Sequence, residues 1–273
     1  MQKEEVFSFN HMDLEKKYAN AKKVKYDLHC HERYEIYYIL HGNVRFLVEG
    51  YEYHPPASSV LLIAPHRFHG MQVLTDEPYV RYCIHFSAKL LTKRERELLL
   101  PSFNSENIMF SNIKDYELER YMDSIEECQN FDQPLQDIAI RARLLSLLVQ
   151  LFAISHSAVG GQGADEDTKE ILRYVNEHLT ENLQLETLAK QFFMSKNHLT
   201  KLFKDATGST VANYILQKRM SLAKGMLRAG EPATLVAEKL GYDEYTSFYR
   251  NYKKVFGFSP AKEPISQDVP KEF

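Results

Sequence analysis

Cysteine is scarce in this sequence: Cys30, Cys83 and Cys128 are the three in 273 residues. An odd number with no Cys-x-x-Cys pair argues against a disulfide framework and a structural zinc site, and leaves reduced, packed thiols. Long apolar runs are missing as well, none approaching the ~20 residues a membrane helix needs. The opening Met-Gln-Lys-Glu-Glu lacks the pattern of a secretion signal. Both absences point to a cytoplasmic chain with no membrane partner. The formal net charge is only -3, so a polyanion partner has to be sought in local charge.

What is present suits a soluble, globular protein of two domains, with 44% apolar residues over a length too great for one ordinary core. The last hundred residues repeat one plan. Leu185 to Lys204 and Thr234 to Lys253 each read as a short helix, a sharp turn and a second helix. In the first copy Leu185, Leu188, Ala189 and Phe192 share a face, Ser195 caps the second helix, and Leu199, Leu202 and Phe203 point inward. In the second, Leu235, Val236 and Leu240 lead to a turn at Gly241, and Phe248, Tyr252 and Phe256 point inward. Gly208 closes the first unit, and Val211 to Leu227 reads as a rod between the two.

Between Lys196 and Lys262 twelve Lys or Arg face five acids, an excess of seven positive charges on an acidic chain. A basic segment of this kind is the electrostatic footprint of a nucleic-acid domain. Together, Ser195 to Gly208, the long helix, and Gly241-Tyr through Phe256-Gly-Phe-Ser-Pro260 resemble the DNA-binding domain of AraC/XylS transcription regulators. One departure is visible, since Ser259-Pro260 runs on into Ala-Lys-Glu-Pro. The resemblance implies double-stranded DNA as partner. By alignment it implies base reading by Asn197, Thr200 and Lys201 of the first unit, and by Tyr245, Thr246, Tyr249 and Arg250 of the second. Lys196 flanks the first set, and Lys204, Lys253 and Lys254 suit phosphate contacts.

Residues 24 to 87 have another character. Val24 to His31, Tyr34 to Leu40, Val44 to Glu49, Ser59 to Ile63 and Tyr79 to Phe86 are short aromatic and branched stretches set off by turn residues, which reads as a small antiparallel barrel or sandwich. Within it stands His29-x-His31-x3-Glu35-x6-Gly42, then Pro65-x3-His69. Residues of like parity on strands share a side, so these groups can converge and hold a divalent transition metal. The spacing resembles the first cupin motif closely and the second in part, with Ser59 and Arg67 where the pattern has glycines. An organic effector in the same barrel mouth, using some of His29, His31, Glu35, Tyr37, Arg45, His69 and Arg81, is the preferred reading. A metal on His29, His31, Glu35 and His69, or a purely structural set, stays open, and no other cofactor is expected.

Lys93 to Leu100, Asp115 to Gln129 and Leu135 to His156 read as helices, the last with a wide apolar face that either pairs two copies or packs on its own barrel. Residues 158 to 167 read as a flexible linker between self-sufficient cores. The expectation is an α+β two-domain chain. Residues 1–100 form a cupin-like effector-binding barrel, 101–157 a helical segment for dimerisation, and 168–273 an all-α domain with two helix-turn-helix units. The function expected is sequence-specific transcription regulation as an activator, modulated by a small molecule such as a sugar. A homodimer and RNA polymerase complete the expected partners. The competing class is a metal-dependent cupin enzyme with a helical appendage, which leaves the duplicated helical unit unexplained.

Overall fold

The structure is a computed structural model that describes residues 3–19, 28–105, 107–157, 166–181 and 183–264. The N-terminal half contains β1 (Lys3–Phe9), β2 (Met12–Ala19), β3 (Tyr34–His41), β4 (Val44–Val48), β5 (Tyr51–Tyr53), β6 (Ser59–Ile63), β7 (His69–Val73), β8 (Tyr79–Phe86) and β9 (Met109–Phe110). They form a six-stranded sheet, β1-β2-β8-β3-β6-β9, and a three-stranded sheet, β5-β4-β7. Alternation along β3 sends Glu35, Tyr37 and Ile39 inward between the sheets, where Phe46, Val48, Ile63, Tyr79 and Cys83 complete one core. Ile36 and Tyr38 point the other way, into a core shared with helices.

That second core is closed by α1 (Lys93–Leu99), α2 (Leu118–Glu126) and α3 (Leu135–Ser157). Thr92 and Glu95 form a reciprocal capping box at the start of α1. Ile140, Leu144, Leu147, Leu148, Leu151 and Ile154 of α3 are buried against the sheet, so much of its apolar face is used within the chain. Among the described helices α3 has the length and, at 1.7 over its most apolar 18-residue window, the mean hydropathy of a membrane span. Only 33% of that window is buried within the chain, so its packed face accounts for part of that composition.

The C-terminal half contains α4 (Glu166–Glu177), α5 (Leu185–Gln191), α6 (Lys196–Thr207), α7 (Val211–Arg228), α8 (Ala233–Lys239) and α9 (Tyr245–Phe256). Ser195 accepts from the His198 amide at the start of α6, and Thr210 from the Asn213 amide at the start of α7. Gly208 ends α6 with left-handed backbone. At Gly241 glycine is obligatory, because φ is +72° and a Cβ would come within 1.7 Å of the Thr180 carbonyl oxygen.

Several expectations shift. β1, β2, β5, β7 and β9 are additional strands, and the first two carry one edge of the larger sheet. In the expected Val24 to His31 strand, residues 28–31 show only a bridge between His29 and His69, and 24–27 lie outside the described residues. Residues 158–165 of the expected linker and 265–273 of the tail also lie outside them. The expected helix from Asp115 to Gln129 is a regular helix only over α2, flanked by single 3-10 turns.

Candidate functional site

The two helix-turn-helix units share α7, whose 18 residues span about 27 Å. Leu188, Leu199 and Phe203 of the first unit pack with Val211, Tyr214 and Ile215 at the start of that rod. Val236, Leu240, Phe248 and Tyr252 of the second pack with Met220, Ala223 and Leu227 at its end.

Burial orients these helices as expected. Lys196, Asn197, Lys201 and Lys204 of α6 are exposed, with Thr200 half-buried beside them. Tyr245, Thr246, Tyr249, Arg250, Lys253 and Lys254 of α9 are all exposed. Phe193, in the turn before α6, is 98% exposed with φ +53°, a residue that its apolar neighbours in the sequence disguise.

At the barrel mouth the structure brings His29, His31, Glu35 and His69 together, with one donor atom from each within 4.8 Å of the others. Glu35 is fully buried. Its Oε1 receives His31 Nε2 at 2.8 Å and His85 Nε2 at 2.5 Å, and its Oε2 faces His69 Nε2 at 2.8 Å. Burial alone would raise the Glu35 carboxyl, but the charge of His69 and the bonds from the histidines hold it well below the usual carboxylate range. Burial opposes protonation of His69, and the adjacent Glu35 charge outweighs it, so His69 moves up. For His85 burial likewise opposes protonation, and Cys83 and Glu35 outweigh it.

His85 escaped the sequence reading. It faces Glu35 because β3 and β8 pair with Glu35 opposite His85, a register that spacing cannot supply. Cys83, two residues back, joins Glu35 and His85 in a second set of donors. Tyr37 and Arg81 sit deeper on the same inner face, with the guanidinium 5.1 Å from the Tyr37 ring centre and paired to Glu15. Arg45 is not brought to the cluster. It alternates with the inward Val44 and Phe46, and bonds Gln72 and Glu52 on the outer face of the smaller sheet.

The cluster lies at the junction of the two halves. Above it opens a cleft of about 410 Å³, lined by Asp13, Cys30, His31, Glu32, Arg33 and His85 from the barrel and by Ser221, Lys224, Arg228 and Phe256 from the helices. Beside the cleft, Phe68 from the barrel is buried in the core of the first helix-turn-helix unit, its ring 5.1 Å from Tyr214. That core is therefore not self-contained. The buried Glu49 carboxylate accepts from the Phe68 amide, from Tyr214, from Asn176 at 3.2 Å and from Lys218 at 2.7 Å. Lys218 also donates to the His66 carbonyl at 2.6 Å, and His66 Nδ1 meets Ser221 Oγ at 2.9 Å.

Comparison with known proteins agrees with this two-part layout. Residues 11–175 match the family of AraC-like ligand binding domains, and residues 188–263 match a helix-turn-helix domain family. Over 233 residues the chain is 22% identical to the HTH-type transcriptional activator RhaS of Mannheimia succiniciproducens, covering 85% of this chain and 87% of that one. It is 30% identical over 97 residues to the multiple antibiotic resistance protein MarA of Salmonella typhimurium, covering 35% of this chain and 76% of the other. Among solved structures, an apo variant of ToxT from Vibrio cholerae aligns over 93% of this chain and 96% of its own, with TM-score 0.40 and 16% identity. A ligand-binding family over the barrel and a helix-turn-helix family over the rod and its two units together settle the assignment: the chain belongs to the AraC family of DNA-binding transcription regulators.

Proposed function

We propose that this regulator reads a specific DNA sequence with α6 and α9 together, and that an effector at the barrel mouth sets how well it does so. The observation that supports this best is the shared rod, α7. Each of its ends packs on a recognition helix, and between them the barrel holds it from Tyr214 to Ser221. An effector that binds one docked arrangement better than another then shifts the population able to engage both groove segments.

The cleft lining is charged and hydroxyl-bearing, which supports a small polar effector of sugar size. Leu135, Ile138 and Val149 of α3 are each more than half exposed, which supports a homodimer through that helix. Activation through contact with RNA polymerase accords with the RhaS relative, named as an activator. The cupin-enzyme alternative is not favoured, because both matched families are those of regulators.

The test is selection of bound duplexes from a random pool, followed by binding to the selected and scrambled duplexes across a salt series. Preference for the selected duplex by at least ~10³-fold, changed at least fivefold by a member of a monosaccharide panel, is the expected result. Equal affinity for both duplexes would sink the proposal, and sedimentation at micromolar concentration decides the dimer.

A further inference from the structure

We propose that the barrel mouth is a divalent transition-metal site formed by His29, His31, Glu35 and His69, and that the turn from Pro65 to His69 transmits its occupancy to α7. The ion lies beneath the cleft that takes the effector, so this adds a second ligand and its regulation to the site just described, and it rests on the reading of the chain as a regulator.

The donor set fits such an ion. Around a tetrahedral centre with bonds of ~2.0–2.1 Å the donors stand roughly 3.4 Å apart, so a set already within 4.8 Å closes by shifts of under about 1 Å for each side chain. Three imidazoles and one carboxylate suit zinc, iron or nickel better than calcium or magnesium. His69 supplies the sharper argument. Its Nδ1 bonds the Arg67 carbonyl at 2.7 Å, so in the neutral ring Nε2 presents a lone pair to Glu35 Oε2. Both atoms are buried and face each other at 2.8 Å, a contact that is a bond only when a proton lies between them. Two lone pairs in contact need a cation, and the bond from Nδ1 to a backbone carbonyl is the device that orients metal-binding imidazoles. A proton on His69 is the competing way to satisfy the pair.

The same turn touches the helices. His66 gives its carbonyl to Lys218 and its ring to Ser221, Phe68 fills the socket beside Tyr214, and His69 is the ligand at the turn's far end. Fixing the His69 ring fixes the Arg67 carbonyl, and with it the peptide that presents Phe68. Close-packed interiors pass on such displacements.

The experiment uses the full chain stripped with a chelator. Titration with Zn²⁺, and with Co²⁺ followed by its visible absorption, should give one ion per chain. His69→Ala and Glu35→Gln should weaken binding at least 100-fold. Because both residues are buried and those variants can unfold, His31→Ala, at a side chain 27% exposed, is the milder variant. It should weaken binding at least tenfold with unchanged circular dichroism. Zn²⁺ should slow hydrogen exchange at Phe68 and along residues 214–221 at least fivefold, and Lys218→Met should keep the ion while losing the slowing in α7. Less than one-tenth of an equivalent bound, or equal binding by wild type and His31→Ala, overturns the site and leaves the proton on His69. One equivalent bound with unchanged exchange overturns the relay. Neither readout uses DNA, so a failure of selective DNA binding would count against the regulator reading alone.

Discussion

Glu49 and Lys218 are 169 residues apart in the chain and 2.7 Å apart in space. Their side chains are only 11% and 9% exposed, so neither charge can be rehydrated in place. Lys218→Met leaves a buried carboxylate without its counter-charge, and the expected loss of stability is about 3–5 kcal/mol. Glu49→Gln combined with Lys218→Met removes both charges while keeping an acceptor for the Phe68 amide and Tyr214, and should recover most of it. Denaturant unfolding of the wild type, the two single variants and the double variant measures the coupling, and additive losses would show that the pair contributes nothing.

Acid should loosen the same interface. Burial, with Lys218 and His31 nearby, pushes His66 down to about 4 from its ordinary 6.5. The undocked arrangement therefore takes up a proton more readily between those values, and docking that is intact above about 6.5 weakens as pH falls towards 4. Burial would raise Glu49, but Lys218 outweighs it and holds the carboxyl low, so its contribution has the same sign and is lost at still lower pH. Proteolysis rates of the interface at pH 7 and pH 5 should differ in the wild type. His66→Gln should remove most of that difference.

The two kinds of basic residue on α9 should separate in a binding assay. If α9 reads bases as proposed, Arg250→Ala should cost ~1–3 kcal/mol on the selected duplex and little on random DNA, because a guanidinium pairs with a guanine edge. Lys253 lies in the last turn of α9, and the same proposal gives it a phosphate contact. Lys253→Ala should weaken all sequences alike and lower the salt slope by about one. Equal losses for Arg250→Ala on both duplexes would move specificity to α6.

Gly241→Ala tests the second turn. The left-handed backbone alone costs a non-glycine residue about 1–2 kcal/mol, and the contact with Thr180 adds to it. Thermal unfolding should show the loss, with DNA affinity falling in step as the turn between α8 and α9 is pushed off the loop at Thr180. An unchanged melting temperature would mean that the loop at Thr180 yields freely.

The helical half was legible because its signals are local. Ser195, Gly208 and Gly241 mark helix ends by their own chemistry, and Leu199, Phe203, Phe248 and Tyr252 fall on buried faces by period alone. The barrel was legible in part. β3, β4, β6 and β8 are rich in branched and aromatic residues, whereas β1 and β2 carry charges on both faces and gain their place through pairing, β2 with β8 and β1 with β2. His29, His31, Glu35 and His69 converge as their parity suggested. His85 and Arg45 escaped because their positions depend on which strands pair and which face of the smaller sheet looks inward. Phe68 reads as a turn residue, since the core it fills belongs to helices far along the chain.

Ribosomal synthesis gives the Phe68 socket a time axis. The strands are complete once Phe110 has emerged, yet the residues that receive Phe68 and Glu49 come much later. At ~5–20 residues per second, the stretch from Phe110 to Lys218 takes roughly 5–22 s to make. Throughout that interval the nascent barrel displays an aromatic ring next to a hydrated carboxylate. The charge keeps that patch wet and discourages premature pairing of two such barrels on neighbouring ribosomes. When Lys218 arrives it neutralises the carboxylate, the water leaves, and the ring is free to enter its socket.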